Sequence, residues 1–280
     1  MANRLIYPAP AKINLFLHIT SRRADGYHNL QTIFQFLDYC DELTFSIRQD
    51  RQLTCNSGLD LPPEQNLAFR AAKLLQHVTN THLGVDIQVN KKIPLGGGLG
   101  GGSSDAATTL LALNKAWQLN LPKIELAKLG LTLGADVPIF IEGKASWAEG
   151  VGEILTPVTL DESWYLVIHP GCHVSTQTIF TTPHLTRNMP AITMLNFLEG
   201  HTINVFESIV SERYPEVKRA LEWLTQFSPA RMTGTGACLF AKFDCESDAK
   251  QVLQKLPSEW QGFIAQSKNI SPATTNFTDW

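Results

Sequence analysis

The residues with most to say about chemistry are glycines. From Lys91 to Asn114 the chain reads KKIPLGGGLGGGSSDAATTLLALN, with six glycines among the seven residues Gly96 to Gly102. Six glycines in place of alanines cost folding on the order of 2–6 kcal/mol. A strand pattern ends near Ile93 before them, and a helix pattern starts at Ser103 or Ser104 after them. The N-terminus of a helix carries unpaired N–H groups and about half a positive charge. Backbone without side chains lets further N–H groups turn to the same point and lets an anion come close. Pro94, Leu95, Gly96, Gly97, Gly98, Leu99, Gly100, Gly101, Gly102, Ser103 and Ser104 therefore form a candidate phosphate cradle.

The cradle is not a P-loop, because no lysine precedes Ser103. Gly96, Gly98 and Gly101 satisfy G-x-G-x-x-G, but so dense a run does so almost automatically. The acidic residue that should end the next strand of a dinucleotide fold is missing, since Asp105–Trp117 reads as helix. A flexible linker would sit among serines and polar residues, not between a strand and a strong helix.

Other polar positions are ambiguous by themselves. In AKINLFLHI, Lys12, Asn14, Phe16 and His18 alternate with Ile13, Leu15, Leu17 and Ile19. Taken alone, that is an edge strand with a solvated lysine. Asp136 in GADVP follows a helix and reads as a turn former or cap. Asp105 reads as a helix-capping carboxylate aimed away from any phosphate. Tyr27 and His28 read as loop residues, Phe180 as core, and Gly234-Thr235-Gly236 as a tight turn before a strand.

These positions need elements to hold them. LQTIFQFL and DELTFSI read as two strands after a turn at Asp25-Gly26, and GVDIQVNKKI reads as another. NLAFRAAKLLQHV has helical spacing, as has PKIELAKLGLTLG, with Pro122 at its start and Gly134 at its end. The pattern changes near residues 156–162. WYLVIHPG is a strand, followed by the long polar segment HVSTQTIFTTPHLTRNMPA. Three helical segments come next, ITMLNFLEG, NVFESIVSERY and PEVKRALEWLTQF. Strand ACLFAKF, helix ESDAKQVLQKL and strand GFIAQSKN then suggest a small α/β sandwich, and PATTNFTDW is expected to fray. The division expected is 1–158 and 159–280.

The 280 residues are 44% hydrophobic and 18% charged, with a formal charge of −3. That acidic balance argues against nucleic acid or an anionic membrane as the main partner. Five scattered cysteines without a C-x-x-C pair predict free thiols rather than zinc or disulfides. No apolar run approaches the roughly 18–20 residues of a membrane span, and the N-terminus lacks a signal-peptide pattern. A cytoplasmic protein is expected.

PLGGGLGGGSSDAA resembles the phosphate-binding motif of the small-molecule kinases related to galactokinase, homoserine kinase, mevalonate kinase and phosphomevalonate kinase. PAKINLFL (Pro10–Leu17) resembles their N-terminal motif, and MTGTGACLF (Met232–Phe240) their C-terminal glycine motif, in the same order. The resemblance implies an α+β two-domain kinase fold. Its N-terminal domain would be ribosomal-protein-S5-domain-2-like, its C-terminal domain a ferredoxin-like α/β sandwich, with the active site in the cleft between. It implies ATP and Mg2+ as cofactors, without assigning metal ligands. It makes Lys12 and Asp136 a catalytic pair, with Asp136 as general base, and gives adenine to Asn66 and Leu67. The extra glycines, GADVPIF and RADGYHNLQTIFQFLDYCDEL are closest to a branch whose acceptor carries a cytidine diphosphate group. For that acceptor the resemblance implies Asn14, Tyr27, His28, Phe34, Phe180, Gly234, Thr235 and Gly236, in a monomer or weak homodimer. Homoserine and mevalonate have no base to stack on Tyr27, His28 and Phe180. An RNA-binding or scaffold role, conceivable for the N-terminal architecture, lacks a basic cluster interleaved with aromatics. A nucleotide-binding protein without turnover would need the pair Lys12 and Asp136 to be broken.

Overall fold

Two strands form the spine of the protein: β1 (Arg4–Arg22) and β2 (His28–Arg48), of 19 and 21 residues, paired antiparallel from Arg4↔Ser46 to Arg22↔His28. The computed structural model describes residues 4–277. After the hairpin come β3 (Leu53–Asn56), α1 (Leu67–Thr79), β4 (Gly84–Asn90), α2 (Gly101–Ala116), α3 (Lys123–Leu133), α4 (Val137–Glu142), β5 (Ser146–Glu149) and β6 (Ile154–Pro157). The second half holds β7 (Trp164–His169), α5 (Thr176–Phe180), α6 (Met194–Leu198), α7 (Glu207–Arg213) and α8 (Pro215–Thr225). It ends with β8 (Ala230–Met232), β9 (Leu239–Phe243), α9 (Glu246–Leu253) and β10 (Gln261–Lys268). The strands run in the order β3-β4-β2-β10-β7-β9-β8, with β1 and β5 also on β2 and β6 on β5. This is the α+β architecture expected, with α8 and α9 packed on the C-terminal strands.

LQTIFQFL and DELTFSI are one continuous strand, β2, rather than two. The clean alternation of β1 also misleads. Lys12, Asn14 and His18 are each 2% exposed, because chain from both halves covers the strand. Its pairing slips between Pro10 and Lys12, Asn14 and Leu17, and Ile19 and Ser21, as bulges do. At the second slip, the Leu17 N–H donates to the Ile203 carbonyl at 3.0 Å, and Val205 N–H to the Leu17 carbonyl at 2.8 Å. The segment before α7 thus takes up backbone that β2 leaves unpaired.

Three apolar clusters result. One lies among α1, α2, α4 and β2 (Leu75, Leu110, Phe140, Phe45). A second gathers Ile19 of β1 with Leu166, Phe206, Leu224 and Leu239. A third, including Ile13, Leu37, Val167 and Phe240, joins them. Helix α2 is buried on nearly every side, so it shows little amphipathic contrast. It starts at Gly101, earlier than the serines suggested, after a left-handed Gly100 with φ 73° and no side-chain cap.

The tail does not fray where it is described; Thr278 to Trp280 lie outside the described residues. Phe277 is 5% exposed and its ring stacks on Tyr7 at 4.8 Å and 8°. Phe277 therefore closes the core at the start of β1. Phe277→Ala should cost about 3 kcal/mol of unfolding free energy in urea denaturation. A loss below about 0.5 kcal/mol, the range of an ordinary surface change, would show that the contact is not stabilising.

Candidate active site

The glycine loop runs between β4 and α2 and lines a cleft of about 860 Å³. Gly96, Gly98 and Gly100 have φ of 64°, 75° and 73°, with Gly97 and Leu99 between them in ordinary backbone. Alternation of this kind turns successive N–H groups toward one concavity. The carbonyls go the other way. Gly96 and Gly97 accept from the N–H groups of Ala237 and Cys238, Leu99 from Lys12 N–H, and Gly98 from Lys12 Nζ and Thr233 Oγ1. Among the described residues, no acceptor meets the N–H groups of Gly96 to Leu99. A Cβ on Gly98 would fall 2.1 Å from the Thr233 carbonyl oxygen, and one on Gly234 3.1 Å from Gly98 Cα. Both glycine loops thus owe part of their composition to each other.

Lys12 lies beneath the loop. Its Nζ donates to Asn14 Oδ1 at 2.7 Å and to the Gly98 carbonyl at 3.1 Å, and pairs with Asp136 Oδ2 at 3.1 Å. The Phe34 ring lies 5.2 Å from that nitrogen. Asn14 is fixed in turn: its Nδ2 donates to Thr32 Oγ1 at 2.9 Å, and its N–H to Thr233 Oγ1 at 3.0 Å. Asp136 is the residue before α4, yet its side chain caps nothing. The carboxylate is 34% exposed and lines the cleft. The solvated-lysine reading therefore fails; Asp136 does sit in a turn, closed by the Val137 N–H on the Gly134 carbonyl at 3.1 Å, but its side chain is no cap.

His28, where β2 begins, and Phe180, the last residue of α5, line the same cleft with ring centroids 5.3 Å apart and planes tilted by 35°. The His28 pKa is lowered by burial first, then by the positive charges of Arg187 and Arg22. Tyr27 lines the cleft but is 65% exposed and makes no ring contact with either among the described residues. Gly234, Thr235 and Gly236 also line it, and Thr235 Oγ1 is hydrogen-bonded to Thr176 Oγ1 at 2.8 Å.

Two expected positions stand apart. Asn66 uses its Oδ1 to accept from Ala68 N–H at 2.9 Å, capping α1, and only its neighbour Leu67 lines the cleft. Ser104 is fully buried inside α2, while Pro94 to Ser103 line the cleft. Asp105 is not a cap. It lies beyond the first turn, and its Oδ2 receives Lys91 Nζ at 2.8 Å. Lys91 also pairs with Asp41, whose other oxygen accepts from the N–H groups of Lys92 and Ile93. This triad anchors the base of the glycine loop. Sequence reading missed Lys91, Asp41, Thr233 and Arg187. Lys91, Asp41 and Thr233 stand inside the quoted motifs, but nothing in their neighbours set them apart; Arg187 stands outside those motifs.

Residues 66–144 match the GHMP kinases N terminal domain, and residues 189–262 match the GHMP kinases C terminal domain. The 4-diphosphocytidyl-2-C-methyl-D-erythritol kinase of Shewanella loihica is 52% identical over 274 residues, covering 97% of this chain and 96% of that protein. The protein of the same name from Alkalilimnicola ehrlichii is 55% identical over 261 residues, covering 93% and 90%. A crystal structure of 4-(cytidine 5'-diphospho)-2C-methyl-D-erythritol kinase matches with a TM-score of 0.82 at 31% identity, over 94% of this chain and 99% of that one.

The triad makes stability depend on pH. The Asp105 pKa is pushed up to about 7 from 3.8, by burial first, against the pull of Lys91, with Asp41 adding to the rise. Between those two values the folded state binds more protons than the unfolded chain. This group's contribution is full below about pH 4 and is lost as pH rises through about 7, at no more than about 1.4 kcal/mol per pH unit. Asp105→Asn should flatten the fall in unfolding free energy between about pH 4 and pH 7 in urea titrations. An unchanged slope would mean that Asp105 is already ionised throughout.

Proposed function

The chain belongs to the GHMP kinases, and on that premise we propose that it phosphorylates 4-diphosphocytidyl-2-C-methyl-D-erythritol from ATP. The product carries the new phosphate at the 2-hydroxyl, in the non-mevalonate route to isoprenoid precursors. The observation that carries the reading is the pair Lys12 and Asp136, set in one cleft with an amide cradle and the His28–Phe180 pocket.

Phosphoryl transfer passes through a loose transition state, so the protein's work is positioning and charge stabilisation. The outward N–H groups of Gly96 to Leu99 hold the nucleotide phosphates, and Leu67, positioned by the Asn66 cap of α1, lies toward the adenine. Asp136 takes the proton of the acceptor hydroxyl as its oxygen bonds to the γ-phosphorus and the bond to the β-phosphate oxygen breaks. Lys12 orients Asp136 and offsets charge on the transferring group. The cytosine stacks between Tyr27 and Phe180 and is read by His28. Asn14 and the turn Gly234-Thr235-Gly236 lie toward the rest of the acceptor.

Magnesium, in this reading, arrives with the nucleotide and neutralises charge on its phosphates. Among the described residues, no three histidine, cysteine, aspartate or glutamate side chains gather where they would hold a metal. Among the described residues Asp136 is the one carboxylate that lines the cleft, so the ion's ligands are taken to be phosphate oxygens and water.

ADP release should follow addition of Mg-ATP with the cytidyl acceptor, and not with mevalonate, homoserine or galactose. Turnover with one of the others would keep the cradle and overturn the cytosine pocket. Asp136→Asn should lower kcat by roughly 10²- to 10⁴-fold while nucleotide affinity stays within about threefold. Near-normal turnover in that variant would remove Asp136 as the base.

A further inference from the structure

Arg187 belongs to the polar segment after α5, 159 residues from His28 in sequence, and each nitrogen of its guanidinium donates a hydrogen bond. Its Nη1 donates to the Leu185 carbonyl at 3.0 Å, and its Nη2 to the Phe180 and Thr182 carbonyls, both at 2.9 Å. The third nitrogen, Nε, donates to His28 Nε2 at 3.1 Å. Three bonds to backbone hold the fork, so it is not free to swing away.

A guanidinium has only donors and does not lose its proton in proteins. The nitrogen that faces it must therefore present a lone pair. This leaves the imidazole proton on Nδ1, because which nitrogen carries it is set by the bond the other one makes. Among the described residues, Nδ1 has no protein partner, and His28 lines the cleft beside Phe180. A doubly protonated ring would set N–H against N–H. The charged groups facing His28, Arg187 and Arg22 of β1, oppose it as well, and burial acts in the same direction.

We propose that Arg187 is the positioning residue that sets the base preference of the acceptor pocket, by locking His28 as the neutral Nδ1–H tautomer. This rests on the cytidyl-acceptor reading. N3 of cytosine is an acceptor, whereas uracil carries N3–H at the same place. A fixed Nδ1–H pairs with the first and confronts a second donor in the other. Without Arg187 the ring can exchange tautomers, present a lone pair from Nδ1, and accept from uracil. The same fork fixes the backbone of Phe180, so base stacking and base reading are held by one side chain.

The test uses the full chain with isotope-labelled histidine, His28 being assigned by its loss in His28→Gln. The tautomer is read from ring nitrogen shifts, and cytidine and uridine diphosphates compete against the acceptor. In the wild type His28 should be protonated at Nδ1 and bare at Nε2, with cytidine diphosphate favoured by roughly tenfold or more, the order expected for one mispaired buried donor. Arg187→Met should give both tautomers and bring the two inhibition constants within about threefold of each other. Arg187→Lys, still a donor without an acceptor, should keep the tautomer and most of the preference. A purely structural role would weaken both nucleotides by one factor and leave the tautomer unchanged. An Nε2–H ring in the wild type, or an unchanged preference in a folded Arg187→Met, would overturn the proposal. If Arg187→Met does not fold, loss of the Nδ1–H tautomer in Arg187→Lys overturns it instead. The expected tautomer with no competition from cytidine diphosphate would remove the acceptor reading, and the base preference with it.

Discussion

The structure depends on two glycine loops that touch backbone to backbone. Gly96 and Gly97 take hydrogen bonds from Ala237 and Cys238, and Gly98 stands so close to Thr233 and Gly234 that neither glycine could carry a Cβ without movement. Paired in this way, the first loop has its carbonyls consumed by the protein and its amides left for the cleft. A backbone N–H without a partner is costly in a dry interior and tolerable facing water or an anion. The contact therefore builds the anion site and, in the same bonds, joins the C-terminal half to the N-terminal one.

Lys12 is the second consequence. Taking an ammonium out of water costs several kcal/mol unless it is paired and hydrogen-bonded. Here the pairing is supplied by Asn14 on the same strand, the Gly98 carbonyl of the loop folded over β1, and Asp136 at the start of α4. The network continues through Thr32 and Thr233, so the lysine's position is set by residues from β1, β2 and the turn after β8. A side chain held at this many points keeps its geometry whether or not ligand is present.

The other end of the cleft is built from irregular chain, which must satisfy its backbone without a ladder. Buried Gln31 of β2 does so for Ile192 on both sides, accepting from its N–H at 2.9 Å and donating to its carbonyl at 3.3 Å. Met189 N–H donates to the Ile19 carbonyl at 2.9 Å, and Arg187 collects three carbonyls more. Long strands β1 and β2 thus serve twice, as core in the middle and as an anchor for a binding segment at the end.

Much of this was legible in the residues alone. Glycine density between a strand and a helix announces an anion cradle, because it depends on neighbours in sequence. Helices α1 and α3 declare themselves by spacing, and three ordered motifs point to one kinase family. What neighbours do not determine was missed. Alternation in β1 marked Lys12 as solvated, and only the covering chain makes it buried. Asp105 looked like a cap until Lys91, just past the end of β4 and shared with Asp41 of β2, claimed its carboxylate. Arg187 carried no local signal, since its meaning lies in a histidine 159 residues away. Local sequence fixes which backbone shapes and charges are available. Burial decides which charges must find partners, and burial is a property of the assembled fold.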